Sequence, residues 1–457
     1  MKRFLRAMLG RHAPEGEAEL RLLAVARGAL SALGARGVAL LVSFVAVPIT
    51  VRHLGGERYG AWVTIGSTVA WLSIADLGLG NGLTSALAEA LGRGLRKDAQ
   101  ELVATAFWLL SAVALACGIV FALAEPHLDW AAILNVKSEL ARAEVSRAAT
   151  LAVALLLAGL PLSLVERVYA ALHEGAQANV WSAIASVATL LALFAATEVG
   201  GGMALLVLAL SGARVMVQAL SGAWLFFRRH PEIAPDPRAA HFTRASRIST
   251  ASARFFVIQI AGLVLYGTDN FIIARVLGPE RVTPYSVTWN LFALPSLPIM
   301  LAFPYLWPAY THALARRDVE WVRRIFRLSL AGSIGAAAAM ALPLALAGRP
   351  LIAVWAGPAA VPPVSVLVWM AVWSVVNSGM NALACLLNAA EQITVQAACG
   401  VATAALNVVL SIVWGRAFGI AGVIAATVAS FAALAVLPMS FDVLRLFRRL
   451  RSQLRVV

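Results

Sequence analysis

Apolar runs of 18 or more residues recur along this chain from about residue 28 to residue 441. A run of that length crosses a hydrocarbon core about 30 Å thick as a helix. In lipid each backbone N–H and C=O must be satisfied within the span itself, which is what a helix does. The chain therefore has to fold as an all-α, polytopic membrane protein. With 457 residues that are 61% hydrophobic and 13% charged, it has little room for a soluble domain. Twelve spans are expected, at 28–50, 61–83, 102–124, 148–168, 179–200, 203–227, 253–277, 285–309, 327–347, 361–387, 395–415 and 419–441. The first run is too long for the apolar region of a cleavable signal peptide. Residues 1–27 before it read as an amphipathic lead lying on the inner membrane face. Cys117, Cys385 and Cys399 fall inside apolar runs without paired spacing or a nearby histidine, which points to neither a disulfide framework nor a metal site.

The net charge is +14, and 34 of the 37 basic residues are arginine. These charges sit in short loops, so the positive-inside rule accounts for them without nucleic acid. The arginine excess follows either from base composition or from a choice of guanidinium for bidentate phosphate contact. With the N-terminus, the even-to-odd loops and the C-terminus on one side, that side carries about 26 of the 37 basic residues and the other about nine. Both termini are thus expected in the cytoplasm.

Two stretches 223 positions apart nearly repeat each other. Arg52-His53-Leu54-Gly55-Gly56-Glu57-Arg58 aligns with Arg275-Val276-Leu277-Gly278-Pro279-Glu280-Arg281, and Ala90-Leu91-Gly92-Arg93 aligns with Ala313-Leu314-Ala315-Arg316. Each heptapeptide follows the first span of a six-span half, and both of those spans run inside to outside. The halves are then related by a parallel repeat, an arrangement in which cargo crosses at the seam. The expected organisation is an N-terminal half at 28–227, a proline-containing linker at 228–252, a C-terminal half at 253–441 and a basic tail at 442–457. Since both heptapeptides cap a first span on the outer face, they read as structural turns.

A charge at the centre of a spanning helix costs about 2.5–3.5 kcal/mol on insertion scales, so each needs a reason. Arg36, Asp76, Arg214 and Asp269 stand at such positions. At a rise of about 1.5 Å per residue, Arg36 and Asp76 lie at similar depths and are expected to pair. Arg214 and Asp269 lie nearer mid-membrane and are expected to pair across the seam. These charges either hold helices together or line a cavity. Glu166 and Arg167, at the inner end of span four, are assigned to the interface. Gly78, Gly80 and Gly82 loosen span two by about 1 kcal/mol each relative to alanine. Pro295, Pro298, Pro304 and Pro308 bend span eight. Such bends suit a gate. Asn270, Asn290, Asn377, Asn381 and Asn407 read mainly as interhelical hydrogen-bonding points. The sequence shows no metal-ligand spacing, no Gly-x-Ser-x-Gly, no phosphate loop and no exterior loop long enough for a catalytic lid, so an enzyme is not expected.

The stretch Leu54-Gly55-Gly56-Glu57-Arg58-Tyr59-Gly60-Ala61-Trp62, followed by Asp76-Leu77-Gly78-Leu79-Gly80-Asn81-Gly82-Leu83, resembles the polysaccharide transporter family. Its members are O-antigen and exopolysaccharide flippases of the multidrug/oligosaccharidyl-lipid/polysaccharide exporter superfamily. The resemblance implies a MATE-like bundle of two six-helix lobes in the bacterial cytoplasmic membrane, acting as a monomer without a cofactor. It implies an oligosaccharide on undecaprenyl pyrophosphate as cargo, alternating access between lobes, and polysaccharide assembly proteins as partners. By the same resemblance Arg36, Arg214 and Asn290 are candidates for substrate binding. The resemblance makes Asp269 a candidate for a coupling Na+ or H+; from the residues themselves, Asp76 and Asn270 join it as candidates for ion pairing or coupling, and Gly78, Gly80, Pro295 and Pro298 are candidates for gating. A cation-coupled multidrug exporter of the same superfamily is the alternative. A membrane-embedded polymerase or glycosyltransferase would need an acidic catalytic cluster that is not seen.

Overall fold

The computed structural model describes residues 17–76, 78–241, 260, 262–264 and 267–454. All regular elements among these residues are helical. Most of the lead, the end of the linker with the start of span seven, and residues 455–457 lie outside the described residues.

Nine helical stretches among the described residues are long and apolar enough to cross a membrane, against the twelve runs expected. Three local causes account for the difference. The first two runs join into one stretch, Leu30–Ile74, because the helix Glu17–Ala70 passes through the first heptapeptide with Gly55 alone leaving helical geometry, at φ 74° and ψ 175°. Span seven is only partly described. Span eight is divided into Val282–Leu291, a tight turn at Leu294–Ser296 and Leu297–Ala315. Proline lacks the N–H that an uninterrupted helix would need there, and its ring clashes with the preceding turn.

The chain packs as two compact units. One comprises the described residues of Met1–Val47, Leu72–Asp129 and Ala143–Phe256; the other comprises Pro48–Trp71, Trp130–Arg142 and Val257–Val457. Residues 48–71 and 130–142, which belong to the first half by sequence, thus pack with the C-terminal helices. Pro48 stands inside the first helix without interrupting it, and a 3-10 turn at Trp71–Asp76 follows the segment.

Each unit has its own core, and the two cores carry the repeat. Leu87, Ala90, Ala99, Val103 and Leu164 are buried together in the first, and Tyr310, Ala313, Val322, Phe326 and Leu387 in the second. Each of the second set lies 223 positions after its counterpart. The positive-φ residues that close the helices recur in the same order, with Gly55 and Gly278, and Gly94 and Arg317, at the same offset, and Asn135 and Gly357, His173 and Glu391, and Gly200 and Gly419 a few positions short of it. A left-handed residue turns the chain out of a helix while the last carbonyls keep partners. The duplication is therefore one of backbone geometry, although few side chains survive unchanged.

The proline loop after span six is tied down over its described part. Ile233 is buried, Trp108 Nε1 donates to Pro235 O (3.1 Å), and His241 N donates to Thr105 Oγ1 (3.0 Å). Residues 231–241 thus form part of the first unit.

Candidate functional site

In the first unit, the glycine run interrupts its helix. The 3-10 turn Trp71–Asp76 ends at Gly78, which is left-handed (φ 71°), and a new helix, Leu79–Gly92, begins. Asp76 Oδ1 accepts a hydrogen bond from Gly80 N (3.2 Å), filling one of the free N–H groups of that new helix. A Cβ on Gly80 would lie 3.1 Å from Arg167 Nε and 3.3 Å from Arg167 Cγ, so the glycine makes room for that side chain. Arg167 is the positive charge beside Asp76. The expected Arg36–Asp76 pair is not formed, and Arg36 is exposed. The error came from assigning Arg167 to the interface together with Glu166. Neighbouring helix positions point about 100° apart, so the two charges serve different surroundings.

Glu166 faces a cavity of about 350 Å³ that is also lined by Arg214, Gln218, Tyr169, Trp181 and Ser182. These side chains come from Leu164–Ala171, Gly175–Glu198 and Ala213–Trp224. Both signs of charge, an amide, hydroxyls and an indole line one space inside a helical unit. Such a lining can receive a polar or anionic group and orient it by hydrogen bonds. Arg214 thus lines this cavity. Glu166, Tyr169 and Trp181 were missed. Tyr169 and Trp181 offer a polar tip on an apolar body, and no spacing in the sequence separates that role from core packing.

In the second unit, Asp269 sits on a helical stretch at 267–277 and is 5% exposed. Tyr285 donates its hydroxyl to Asp269 Oδ2 (2.5 Å), and Thr427 lies 3.4 Å from the same oxygen. The Thr427 hydroxyl also faces Val423 O at 3.2 Å, so its single hydrogen is divided between two acceptors. Asn407 Nδ2 donates to Thr427 Oγ1 (3.0 Å). The hydrogen bonds of Asp269 thus come from hydroxyls of its own unit. Span twelve brings Thr427 to the carboxylate where the sequence offered only an apolar run.

Asp269 Oδ1 and Asn407 Oδ1 are buried without a hydrogen-bond partner, and so are Thr403 Oγ1 and Ser411 Oγ, one helical turn to either side of Asn407. Thr403, Asn407 and Ser411 lie four residues apart on one helix, Ile393–Phe418, and so share a face. Leaving a buried polar atom unmade costs about 1–3 kcal/mol, and more when charge is involved. One carboxylate with amide and hydroxyl oxygens suits a proton or a hard monovalent cation better than a metal that prefers nitrogen or sulfur.

The remaining expected residues are scattered. Asn270 Nδ2 donates to Ser67 Oγ (2.9 Å) within the second unit, and Asn377 Nδ2 to Ser296 Oγ (3.4 Å). Both are interhelical hydrogen bonds. Asn290 is exposed near the end of its helix, Pro295 is buried in the turn that divides span eight, and Pro298 opens the next helix.

Comparison with known proteins gives this geometry a family. Residues 25–310 match the family described as "Polysaccharide biosynthesis protein". A Yersinia pseudotuberculosis protein named for O-antigen export is 37% identical over 78 residues, which is 17% of each chain. A Salmonella typhi protein named as an O-antigen transporter is 21% identical over 293 residues. That match takes in 64% of this chain and 66% of the relative, so the chain spans less than two thirds of either curated relative. Among solved structures, an inward-facing multidrug resistance MATE family transporter of the MOP superfamily aligns with a TM-score of 0.75 at 15% identity, over 92% of this chain and 99% of that one. The lipid II flippase MurJ, in an inward closed conformation, aligns with a TM-score of 0.69 at 12% identity, over 92% and 89%. The all-helical membrane fold read from the sequence is therefore the MATE-like fold of MOP superfamily transporters, and the chain belongs to the polysaccharide biosynthesis protein family.

Proposed function

We propose that this protein flips lipid-linked oligosaccharide units, carried on undecaprenyl pyrophosphate, from the inner to the outer leaflet of the bacterial cytoplasmic membrane by alternating access. The observation that carries this reading is the match of residues 25–310 to a polysaccharide biosynthesis family on a transporter fold. The cavity at Arg214 supports it. A guanidinium forks two N–H donors onto phosphate oxygens, and Gln218, Ser182 and Tyr169 offer hydrogen bonds to sugar hydroxyls. Exposed Arg36 is a second cationic position for the pyrophosphate, and Asn290 a polar one. Asp269, with Thr427 and Asn407 beside it, forms the coupling site, where Na+ or H+ binding would drive the conformational cycle, with Asn270 next to Asp269 in sequence. Gly78 and Gly80 with Pro295 and Pro298 are the flexible points. Both termini lie in the cytoplasm, and polysaccharide assembly proteins receive the product.

Deleting the gene in the source bacterium is expected to trap lipid-linked repeat units on the inner leaflet and to reduce surface polysaccharide at least tenfold. Complementation with Arg214→Glu should restore less than a tenth of it at equal protein level. Unchanged surface polysaccharide in a deletion strain with no redundant flippase would sink the reading. Rescue of cationic-dye efflux in its place would favour the drug-exporter alternative.

A further inference from the structure

The two heptapeptide copies meet, and their contacts obey the repeat. Arg52 Nη2 donates to Val354 O (2.9 Å) and Trp355 O (3.2 Å), the last turn of the helix Val319–Trp355. Its counterpart Arg275 donates Nη1 to Ala132 O (3.3 Å), in the short helix Trp130–Ile133. Arg275 follows Arg52 by 223 positions, and Trp355 follows Ala132 by the same 223. Each arginine therefore caps the carbonyl end that belongs, by sequence, to the other half. Cationic groups are favoured at such an end by the helix dipole.

The turns themselves exchange contacts in the same way. Thr283 Oγ1 donates to Gly56 O (2.6 Å). A Cβ placed on Gly60 would fall 1.7 Å from Pro279 O, so only glycine allows that approach. Gly60 and Thr283 are counterparts at the 223 offset, and so are Gly56 and Pro279. Two reciprocal pairs related by one exchange describe an approximate two-fold axis running between the turns.

One element breaks the symmetry. Glu57 Oε1 accepts from Lys137 N (2.8 Å) and Ser138 N (3.1 Å), just before the helix Glu139–Leu162. The N–H groups at the corresponding positions, Ala360 and Val361, already bond to Gly357 O and Pro358 O. Glu280 accordingly folds back over Gly278, where its carboxylate lies 2.6 Å from the site of a Cβ.

We infer that the two turns form a reciprocal latch that must open once in each transport cycle. All of its contacts lie within the second unit, which holds residues 48–71 and 130–142 alongside the C-terminal helices. Gly55, the one non-helical residue of the helix Glu17–Ala70, and the 3-10 turn at Trp71–Asp76 interrupt the segment that carries Arg52, Gly56 and Gly60 and are the points at which it can bend. The bonds of the latch are a few hydrogen bonds to backbone carbonyls at about 0.5–1.5 kcal/mol net each, or somewhat more from a guanidinium. That strength closes a gate without locking it. The inference rests on the transport reading and adds to it the device that moves.

The test is a reversible staple. A Cβ on Gly56 would lie 3.5 Å from Ala359 Cβ, a separation at which a disulfide closes. Gly56→Cys/Ala359→Cys is made in a background with Cys117, Cys385 and Cys399 replaced by alanine, and is tested in cells of the deletion strain. Under reducing conditions it should support surface polysaccharide at the level of the parent, which tests the transport reading separately and shows that the variant folds. Oxidation should cross-link it and lower new surface polysaccharide at least tenfold, with recovery on reduction, while each single-cysteine variant stays unaffected. Full cross-linking with unchanged output would overturn the latch. Failure of the cysteines to cross-link in folded protein would also overturn it, because the two sites would then not be neighbours.

Discussion

Replacing Asp269 with asparagine is expected to lower transport about a hundredfold while leaving the protein folded and in normal amount. Asparagine keeps the size of the side chain and an oxygen to accept from Tyr285. It removes the charge that a cation or proton would neutralise. The carboxylate is 5% exposed, has one firm donor, and leaves Oδ1 without a partner. Left unneutralised, such a charge costs stability, since burying a polar group unpaired costs about 1–3 kcal/mol or more. The ion-free variant should therefore melt at the same temperature as the parent or higher. A ligand that binds the folded state stabilises it by RT ln(1 + [L]/Kd), which is about 2.7 kcal/mol at a hundred times Kd. If the ion is Na+, the parent should gain stability in Na+ over choline, and Asp269→Asn should gain none. If it is H+, the parent should show no Na+ effect and the asparagine variant should lose the pH dependence of its melting. A static role predicts otherwise: transport of Asp269→Asn within twofold of the parent would remove Asp269 from the coupling role.

A large loss of stability is expected from Gly422→Ala. A Cβ at this position would sit 2.0 Å from Trp414 O and 2.5 Å from Trp414 C, with Phe418 Cβ at 3.1 Å. The atoms in the way are backbone, so no side-chain rotation relieves the overlap. Gly419, left-handed at φ 66°, turns the chain between the helices Ile393–Phe418 and Ile420–Phe431 and brings the two backbones together. Adding one methyl forces those helix ends apart, and overpacking of this kind typically costs about 1–3 kcal/mol, with more where backbone must move. We place the loss at the top of that range. The same helices hold Asn407 and Thr427, so the variant should lose both thermal stability in detergent and any cation-dependent stabilisation. Gly415→Ala is a graded control, because there the added atom would meet only the Val423 Cγ2 methyl at 3.2 Å. Equal melting temperatures for Gly422→Ala and the parent would show that the helix ends are not packed this closely.

Much of this architecture is legible in the sequence, because the bilayer leaves few solutions for a long apolar run. Apolar runs and a 223-residue repeat led to an all-helical, duplicated membrane fold. The glycine run at Gly78 and the prolines of span eight announced breaks that the backbone makes. The partnerships of the charges were not legible. Depth along a helix can be counted from a sequence, whereas the direction a side chain faces depends on neighbours that arrive from elsewhere in the chain. Asp76 therefore met Arg167 in place of Arg36, and Asp269 met the hydroxyls of Tyr285 and Thr427, which no count of depth points to. Span number was blurred for a related reason. Gly55 alone turns the first span into the second without ending the helical run, and only its backbone angles show the break. The heptapeptides were legible as turns, but not as partners. Their reciprocal contacts require residues 48–71 to pack with the C-terminal helices, and hydropathy carries no information about that.

The most direct measurement is translocation by the purified protein. Native lipid-linked oligosaccharide from the source bacterium is placed in proteoliposomes, and its exposure on the far leaflet is followed with an impermeant sugar-modifying reagent under an imposed cation gradient. We predict exposure that rises with time, scales with protein, and falls about a hundredfold with Asp269→Asn. Exposure no faster than in protein-free vesicles, with folded protein and an intact gradient, would contradict flipping as its function.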